Sequence, residues 1–558
     1  NVGVGPFTIG GCAAATGGTG SSNVAIGYAA GSALEDGVRN VYLGWCAGAL
    51  SKDNGYNVAL GHAALNNSVT GTKNVAIGND ASKCTTTGGC NIFLGNYAGR
   101  GASSSGGTGH NNIAMGCNAL SERLTSACYN IALGDSAGIC IADGNYNINI
   151  GSCAGYKMTD AHTNVAIGVN AGCAIGTGDC NVFIGKCAGR GDTSDSTANT
   201  AYSNVALGFA AGRALTTGQH NFFGGYYSGL VVCTGGCNIL IGKNSGKALT
   251  TGSNNVFLGT DAGQNSTSNN YGVIIGHCAG YNLTTPTDNI LIGCGAGYGV
   301  SSCSGGIENI IIGKSAGYDL QTGTQNIVIG MYSGKEITTG TQNLFIGSQA
   351  GRYTCCGCLN VFIGCATGYH MNGKWNMAFG NNALYGKTSG PGDNTGTENL
   401  VMGNSAGFYM CNGTHNIAFG YTALYGNGTD YITGGYNYVM GYAAGHEVTT
   451  ACCNIMFGVN AGYGIKDGDC NVILGAHAGC KMVSAEANVF MGWKAGMCTE
   501  GDANVAIGHC NLLGSNSGSF NVAIGCGALR SYTGNGCNIA IGRMPGQYTT
   551  SGVHNIFM

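Results

Sequence analysis

Short segments of alternating apolar residues, each opened by asparagine and closed by glycine, recur along the whole chain. The pattern is Asn-h-x-h-Gly, where h is an apolar residue and x is any residue, as in Asn-Val-Ala-Ile-Gly at residues 23–27. It starts 32 times, and 22 of the 31 intervals between starts are 17 residues long. A short fixed period of this kind is typical of a solenoid, in which each repeat packs only on its neighbours.

Each repeat is numbered here from its asparagine, which is position 1. Alternation at positions 2 to 4, bounded by asparagine and glycine, predicts a short strand. The Ala-Gly pair common at positions 8 and 9 predicts a tight corner. A second apolar residue near position 12, such as Leu34 or Ile175, precedes Thr-Thr-Gly or Asp-Gly turns. We therefore expect two short strands and two turns in each repeat. A helix is disfavoured because each interior glycine costs about 1 kcal/mol.

These features predict an all-β fold, a parallel β-solenoid or β-roll of short coils of about 17 residues. No boundary interrupts the repeats, so residues 1–558 are expected to form one continuous array of about 32 coils. Coils stacked at about 4.8 Å would make a rod of roughly 150 Å. The chain starts at the first position of a repeat, without an initiator Met, and stops at the fourth position of another, which suggests an excerpt of a longer fibre protein.

Position 1 is asparagine in 31 of 32 copies, the exception being Gly272. Stacked asparagine side chains bond to the coils above and below and thereby support stacked strands. We expect such a ladder along the array. Representative members are Asn23, Asn74, Asn164, Asn255, Asn343, Asn454 and Asn504.

Position 3 is also apolar in most copies, so the strand is apolar on both of its faces. If positions 2 and 4 face inward, position 3 faces outward and needs a partner, because a strand apolar on both faces is buried on both. This predicts a homo-oligomer around a shared axis, most simply a trimer. The alternative is a monomer in which the row of outward-facing position-3 residues is merely rich in alanine. The expected oligomer face comprises Phe93, Phe183, Phe223, Phe257, Ile311, Phe345, Phe362 and Phe490.

Composition narrows the functional classes. Glycine accounts for 105 residues and proline for 4, while charged residues are only 8% and the net charge is −3. The few basic residues are scattered, which argues against nucleic-acid binding. No apolar run approaches the roughly 18 residues of a membrane span. A hydrophobic content of 44% is too high for a disordered tract.

The 29 cysteines fall mostly in predicted turns. Pairs within one coil, or one period apart, are predicted to form some disulfides, which would imply an oxidising environment. The alternatives are free thiols and, less favoured, metal binding at clusters such as Cys355-Cys356-x-Cys358. The candidate disulfide pairs are Cys84 with Cys90, Cys173 with Cys180, Cys233 with Cys237, and Cys453 with Cys470.

No catalytic constellation, phosphate-binding loop or paired half-sites for zinc is visible. We therefore predict a non-enzymatic protein without catalytic residues, metal or cofactor. Insertions at residues 101–109, 192–203 and 385–398 are rich in Ser, Thr, Gly and Asp and are expected to project as loops. They either carry recognition or reflect neutral drift at tolerant turns.

The Asn-Val-Ala-Ile-Gly repeats resemble those in the head domains of trimeric autotransporter adhesins, and repeat segments of phage and large-virus tail fibres. The resemblance covers essentially the whole chain, and the Asn-h-x-h-Gly strand carries it. For the adhesin heads it implies a left-handed parallel β-roll in which three chains join along an apolar face.

The expected function is thus a structural or adhesive fibre, extracellular or on a cell or virion surface, with a rigid shaft. Its partners would be copies of itself and a host-surface receptor or glycan. The alternative is an ice- or carbohydrate-binding solenoid with a threonine-rich face. That face would use pairs such as Thr216-Thr217, Thr250-Thr251 and Thr338-Thr339, although Lys52, Asp53 and Gly176 interrupt the column.

Overall fold

The computed structural model describes residues 1–9, 19–101, 106–122, 125–192, 199–300, 305–387, 394–514 and 517–558. Within these ranges the chain forms short strands and turns, with no helix. It divides into two compact units, Asn1–His277 and Cys278–Met558. The predicted all-β parallel solenoid of short coils is confirmed. The central parts of the three insertions, residues 102–105, 193–198 and 388–393, lie outside the described ranges.

In the first unit each strand pairs in parallel with the next strand along the chain, without a register shift. Its strands are β1 (Val2–Val4), β2 (Val24–Ile26), β3 (Val41–Leu43), β4 (Val58–Leu60), β5 (Val75–Ile77), β6 (Ile92–Leu94), β7 (Ile113–Met115), β8 (Ile131–Leu133), β9 (Ile148–Ile150), β10 (Val165–Ile167), β11 (Val182–Ile184), β12 (Val205–Leu207), β13 (Phe222–Gly224), β14 (Ile239–Ile241), β15 (Val256–Leu258) and β16 (Val273–Ile275).

The second unit repeats this arrangement. Its strands are β17 (Ile290–Ile292), β18 (Ile310–Ile312), β19 (Ile327–Ile329), β20 (Leu344–Ile346), β21 (Val361–Ile363), β22 (Met377–Phe379), β23 (Leu400–Met402), β24 (Ile417–Phe419), β25 (Tyr438–Met440), β26 (Ile455–Phe457), β27 (Val472–Leu474), β28 (Val489–Met491), β29 (Val505–His509), β30 (Val522–Cys526), β31 (Ile539–Arg543) and β32 (Ile556–Phe557).

Each coil contributes one strand, so the prediction of a second strand near position 12 was wrong. That part of the repeat is a turn, and only isolated bridges form nearby, such as Val38 with Gly55. The backbone there is still satisfied between coils, since the amide of Ala33, at position 11, donates to the carbonyl of Ala49 at 3.0 Å. An apolar residue at position 12 therefore marks a buried turn rather than a second sheet.

The glycine at position 5 is required by the corner that ends each strand. Gly27 has φ of +126°, a region that residues with a Cβ rarely adopt. A Cβ on Gly27 would also lie 2.5 Å from the carbonyl oxygen of Gly44 in the next coil. Any side chain in this column would therefore prevent neighbouring coils from stacking.

The asparagines at position 1 form a bonded ladder inside each unit, with one interruption at Gly272 in the first unit. The side-chain oxygen of Asn23 accepts both the backbone amide of Asn40, at 2.8 Å, and the Asn40 side-chain amide, at 3.0 Å. The Asn40 side chain also donates to the carbonyl of Asn54. The seven representative asparagines are all buried, and each donates its backbone amide to the side-chain oxygen of the preceding position-1 asparagine.

Gly272 interrupts this ladder for a local reason. Its backbone amide still donates to the side-chain oxygen of Asn255 at 2.9 Å. The space for a side chain at position 272 is occupied by the amide of Asn269, whose Cγ would lie 3.0 Å from an added Cβ. In most coils the residue at this place, position 15, is glycine, as at Gly71. Asn269 therefore fills the space that a position-1 side chain would occupy here, whereas Asn54, also at position 15, coexists with Asn57.

Position 3 points into the coil, so the predicted oligomer face was wrong. The eight side chains assigned to that face are fully buried within a single chain: Phe93, Phe183, Phe223, Phe257, Ile311, Phe345, Phe362 and Phe490. The coil has room for them because glycine lies opposite, at position 9. A Cβ on Gly351, for example, would lie 2.6 Å from the ring of Phe345. Positions 3 and 9 thus fill one shared interior.

The sequence carries a size compensation between these two positions that the prediction missed. Every phenylalanine at position 3 of a repeat that reaches position 9 is matched there by glycine. Every leucine at position 9 is matched by alanine at position 3, and both residues are buried. The Ala and Leu pairs are Ala59 with Leu65, Ala114 with Leu120, Ala378 with Leu384, Ala418 with Leu424, Ala506 with Leu512 and Ala523 with Leu529. Such exchange keeps the packed volume nearly constant.

Candidate functional site

Positions 2 and 4 point outward and form an apolar strip along the sheet of each unit. Both positions are apolar in every copy, apart from Gly224 at one position 4. Their side chains are half-buried or exposed, and Met115 and Met377 leave 43% and 47% of their surface open to solvent. We call these two columns the apolar strip. It is uncharged over its whole length, which makes it the most distinctive surface of the chain.

Position 17, just before each strand, and position 6, just after it, border the apolar strip. These flanking columns carry its polar and aromatic neighbours. At position 17 the Arg39 side chain donates to the Tyr56 hydroxyl at 2.7 Å, and His415 lies 2.6 Å from the Glu398 carboxylate. At position 6 the ring of Tyr28 stacks on Trp45 with centroids 4.4 Å apart. Side chains of successive coils therefore stack along both borders of the strip.

A shallow depression of about 480 Å³ lies on this face in the second unit. Its wall consists of the position-17 residues Glu308, Gln325 and Gln342, and its floor includes Ile310 and Ile327 of the apolar strip. The Gln325 amide donates to the Glu308 carboxylate at 2.8 Å. The depression is thus an apolar floor beside a bonded polar rim, an arrangement typical of a surface that binds another macromolecule.

A second feature, confined to the second unit, is an aromatic ladder at position 10. Six rings from successive coils stack with centroids 4.6–5.2 Å apart and planes within 20° of parallel. The guanidinium of Arg352 caps one end, and its Nη1 donates to the Tyr369 hydroxyl at 3.2 Å. Burial raises the pKa of Tyr369 to about 12. The members are Tyr369, Tyr385, Phe408, Tyr425, His446 and Tyr463.

Burial also perturbs the histidines of this region. Desolvation lowers the pKa of His446 within the ladder, and the neighbouring Glu447 opposes the shift only in part. The pKa of His370 beside the ladder is lowered by burial and then by the charge of Arg352. Both rings are therefore favoured in their neutral, stacking form.

The predicted disulfides do not form, and the eight candidate cysteines are thiols. In three of the predicted pairs, one cysteine is at the exposed position 17 and the other is at position 10, 11 or 13 of the same coil. Cys90, for instance, is exposed beside the strand, whereas Cys84 is half-buried in the turn. Cys453 and Cys470 do lie in contact, one coil apart. The pKa of the Cys470 thiol is raised by burial and, to a smaller extent, by the neighbouring Cys453 thiol. The other pairs are Cys173 with Cys180 and Cys233 with Cys237.

Sulfur and imidazole also meet near the end of the second unit. The Cys526 sulfur lies 3.9 Å from Nδ1 of His509, and the Cys510 sulfur lies 4.0 Å from Nε2 of the same ring. The two sulfurs approach opposite nitrogens, so they do not converge on one ligand position. This geometry suits proton exchange between thiol and imidazole better than a shared metal ion.

The threonine pairs of the alternative binding face use their first hydroxyl inside the fold. Thr216 donates to the carbonyl of Cys233 at 3.0 Å, and Thr338 donates to the carbonyl of Cys355 at 3.0 Å. Thr250 makes the same bond to Thr267. These hydroxyls join coil to coil, which leaves only the second threonine of each pair for a ligand.

Comparison of the chain with protein-family models, with curated proteins and with solved structures finds no significant match. No helix within the described residues is long and apolar enough to cross a membrane. The columns of side chains described above, and the apolar strip in particular, are the features of the chain that bear on its function.

Proposed function

We propose that this chain is a non-enzymatic structural and adhesive fibre segment, extracellular or on a virion surface, whose shaft assembles from copies of the chain. A left-handed homotrimeric rod is the arrangement proposed. The observation that carries the proposal is the apolar strip, which continues through each unit without a charged residue. The assembly face thus consists of positions 2 and 4 rather than position 3.

The area of the strip supports a stable contact between copies. Large aliphatic side chains carry about 100 Å² of apolar surface, so about thirty of them at one-third exposure leave about 1,000 Å² in each unit. Soluble monomers rarely expose contiguous apolar patches above about 600 Å². A stable interface buries about 800 Å² per partner. A second copy is the favoured occupant because it presents an identical uncharged strip with the same coil spacing.

The interior of the array supports a mechanical role. Backbone groups, position-1 asparagines and first threonines all bond along the stacking direction, from one coil to the next. The buried columns repeat without a preformed catalytic constellation among the described residues. A shaft of this kind holds recognition elements, such as the polar insertions and flanking columns, for a host-surface receptor or glycan.

The threonine-face alternative has less support, because the hydroxyls of Thr216, Thr250 and Thr338 donate hydrogen bonds to backbone carbonyls of neighbouring coils. It remains distinguishable by experiment. An ice-recrystallisation assay is expected to show no inhibition by the purified protein.

The test of the fibre proposal combines imaging with binding. Negative-stain micrographs of the full chain are expected to show rods of uniform width, and a glycan array or intact cells should retain the protein. Isolated single-chain particles that bind neither glycans nor cells would contradict the proposal. Inhibition of ice growth without adhesion would favour the alternative.

A further inference from the structure

The exposed cysteines concentrate along the two borders of the apolar strip. Among the described residues eleven cysteines are exposed, and ten of them occupy position 17 or position 6. The eleventh, Cys356, lies in a turn. Those at position 17 are Cys90, Cys180, Cys237, Cys453, Cys470 and Cys537, and those at position 6 are Cys117, Cys294, Cys365 and Cys526.

Symmetry determines which borders meet when copies assemble through the strip. All strands of a sheet run in the same direction, from position 17 towards position 6. In a cyclic assembly with parallel axes, the end of one copy's strands adjoins the start of the next copy's strands. Position 6 of one copy therefore meets position 17 of its neighbour at the same level. This holds for two-fold and three-fold assemblies alike.

At two places this arrangement brings cysteines within bonding range. Cys90 precedes β6 and Cys117 follows β7, and these strands are adjacent. Cys526 ends β30 and Cys537 precedes β31, and these two strands are also adjacent. Each pair is offset by one strand spacing, about 4.8 Å. A disulfide spans about 4.4–6.8 Å between Cα atoms, so the offset is compatible with a bond.

Within one chain the same cysteines lie at opposite ends of the strands. About six extended residues separate position 17 from the following position 6, which amounts to roughly 20 Å. A bond between Cys90 and Cys117, or between Cys526 and Cys537, therefore cannot close inside one chain without unfolding the sheet.

We propose that copies of this chain are locked together by two interchain disulfides, Cys90 to Cys117 of the partner subunit and Cys526 to Cys537 of the partner subunit. This inference rests on the proposed assembly through the apolar strip. It places Cys90, Cys117, Cys526 and Cys537 at the interface between copies. Cys453 and Cys470, by contrast, are neighbours within one chain.

The chemistry is the oxidation of two thiols by molecular oxygen in an oxidising compartment. Both S–H bonds break, one S–S bond forms, and two protons and two electrons pass to O₂, which is reduced to H₂O₂. The thiolate is the reacting form. His509, with Nδ1 3.9 Å from the Cys526 sulfur, is placed to accept the thiol proton.

The experiment uses the full chain, purified in reductant and then oxidised in air. Remaining thiols are blocked, and the product is examined on non-reducing gels and by mass spectrometry of linked peptides. Covalent oligomers are expected, with Cys90–Cys117 and Cys526–Cys537 peptides. A variant with Cys90→Ser and Cys526→Ser should lose these oligomers. The matched control, with Cys180→Ser and Cys237→Ser, should keep them because no position-6 cysteine lies within one strand of either.

The mass of the reduced protein separates the two proposals. If the reduced chain is oligomeric but oxidation gives no interchain link, or links through other cysteines, the disulfide proposal is overturned and the assembly stands. If the chain is monomeric in reductant and stays monomeric in air, both are overturned.

Discussion

Phe345 and Phe362 stack inside the second unit, with ring centroids 5.1 Å apart and planes within 5° of parallel. Both rings occupy position 3 and are fully buried in a single chain. They belong to the column that builds the interior, so their contribution is to the stability of the chain rather than to contacts between chains.

Replacing Phe345 with alanine is expected to lower the free energy of unfolding by about 3–5 kcal/mol, because it leaves a cavity between packed coils. The matched control is Leu344→Ala, one residue earlier in the same strand. Leu344 is half-buried on the outer face of the single chain, so in a chain kept monomeric by charges on the apolar strip its truncation should cost only about 1 kcal/mol. Urea unfolding, with hydrogen exchange to localise the effect, measures both.

A second substitution tests the shared interior directly. Adding Gly351→Leu to Phe345→Ala reproduces the pairing of Ala59 with Leu65 and should recover part of the loss. Gly351→Leu alone should be strongly destabilising because its side chain meets the Phe345 ring. A larger cost for Leu344→Ala than for Phe345→Ala would show that the inward face has been assigned incorrectly.

The sequence predicts much of the fold because several local signals agree. Alternation bounded by asparagine and glycine locates the strands, and the column of glycine at position 5 matches a corner with φ near +130°. The ladder partners of Asn23 follow from the period alone. These features depend on neighbouring coils being identical, which a repeat makes visible.

Hydrophobicity could not show which face of each strand points inward, because a strand such as Ile310-Ile311-Ile312 is apolar on both faces. The compensation between Phe345 and Gly351, or Ala59 and Leu65, contains that information, since only residues sharing a cavity exchange volume. The second strand was predicted from an apolar position 12 that instead fills a turn. The aromatic ladder went unnoticed because insertions separate Tyr385 from Phe408 and Tyr425 from His446 in sequence.

The ladder interruption at Gly272 gives a paired prediction. Both side-chain amide atoms of Asn269 are buried without a hydrogen-bond partner among the described residues. Gly272→Asn alone should destabilise the first unit because the new side chain overlaps Asn269. With Asn269→Gly added, the ladder bonds are restored and two unpaired polar atoms are removed, each costing about 1–3 kcal/mol. We expect the double variant to unfold at higher urea than the wild type, whereas equal instability of single and double variants would refute the coupling.

His446 gives the second unit a pH-dependent stability. Its ring stacks between Tyr425 and Tyr463, at 4.9 and 4.7 Å, and burial lowers its pKa below the ordinary 6.5. The unfolded chain therefore binds the proton first as pH falls, so stability is full above pH 6.5 and declines below it. His446→Phe keeps the stack and removes the titration. Urea midpoints at pH 7.5 and 5.5 should differ less for this variant than for the wild type, and an unchanged difference would exclude His446 as the source.

The central claim, that the apolar strip joins copies of the chain, is tested most directly by the mass of the reduced protein in solution. Light scattering after size exclusion is expected to give an integral multiple of 56.1 kDa. Ile167→Glu in the first unit, with Ile312→Glu and Ile329→Glu in the second, places charges on the strips of both units and should reduce the mass to that of one chain. The control adds the same charge at exposed turns, with Thr217→Glu, Thr234→Glu and Thr251→Glu, and should leave the oligomer intact. A wild-type mass of 56.1 kDa at all concentrations, with the strip and control variants indistinguishable from it, would contradict the account.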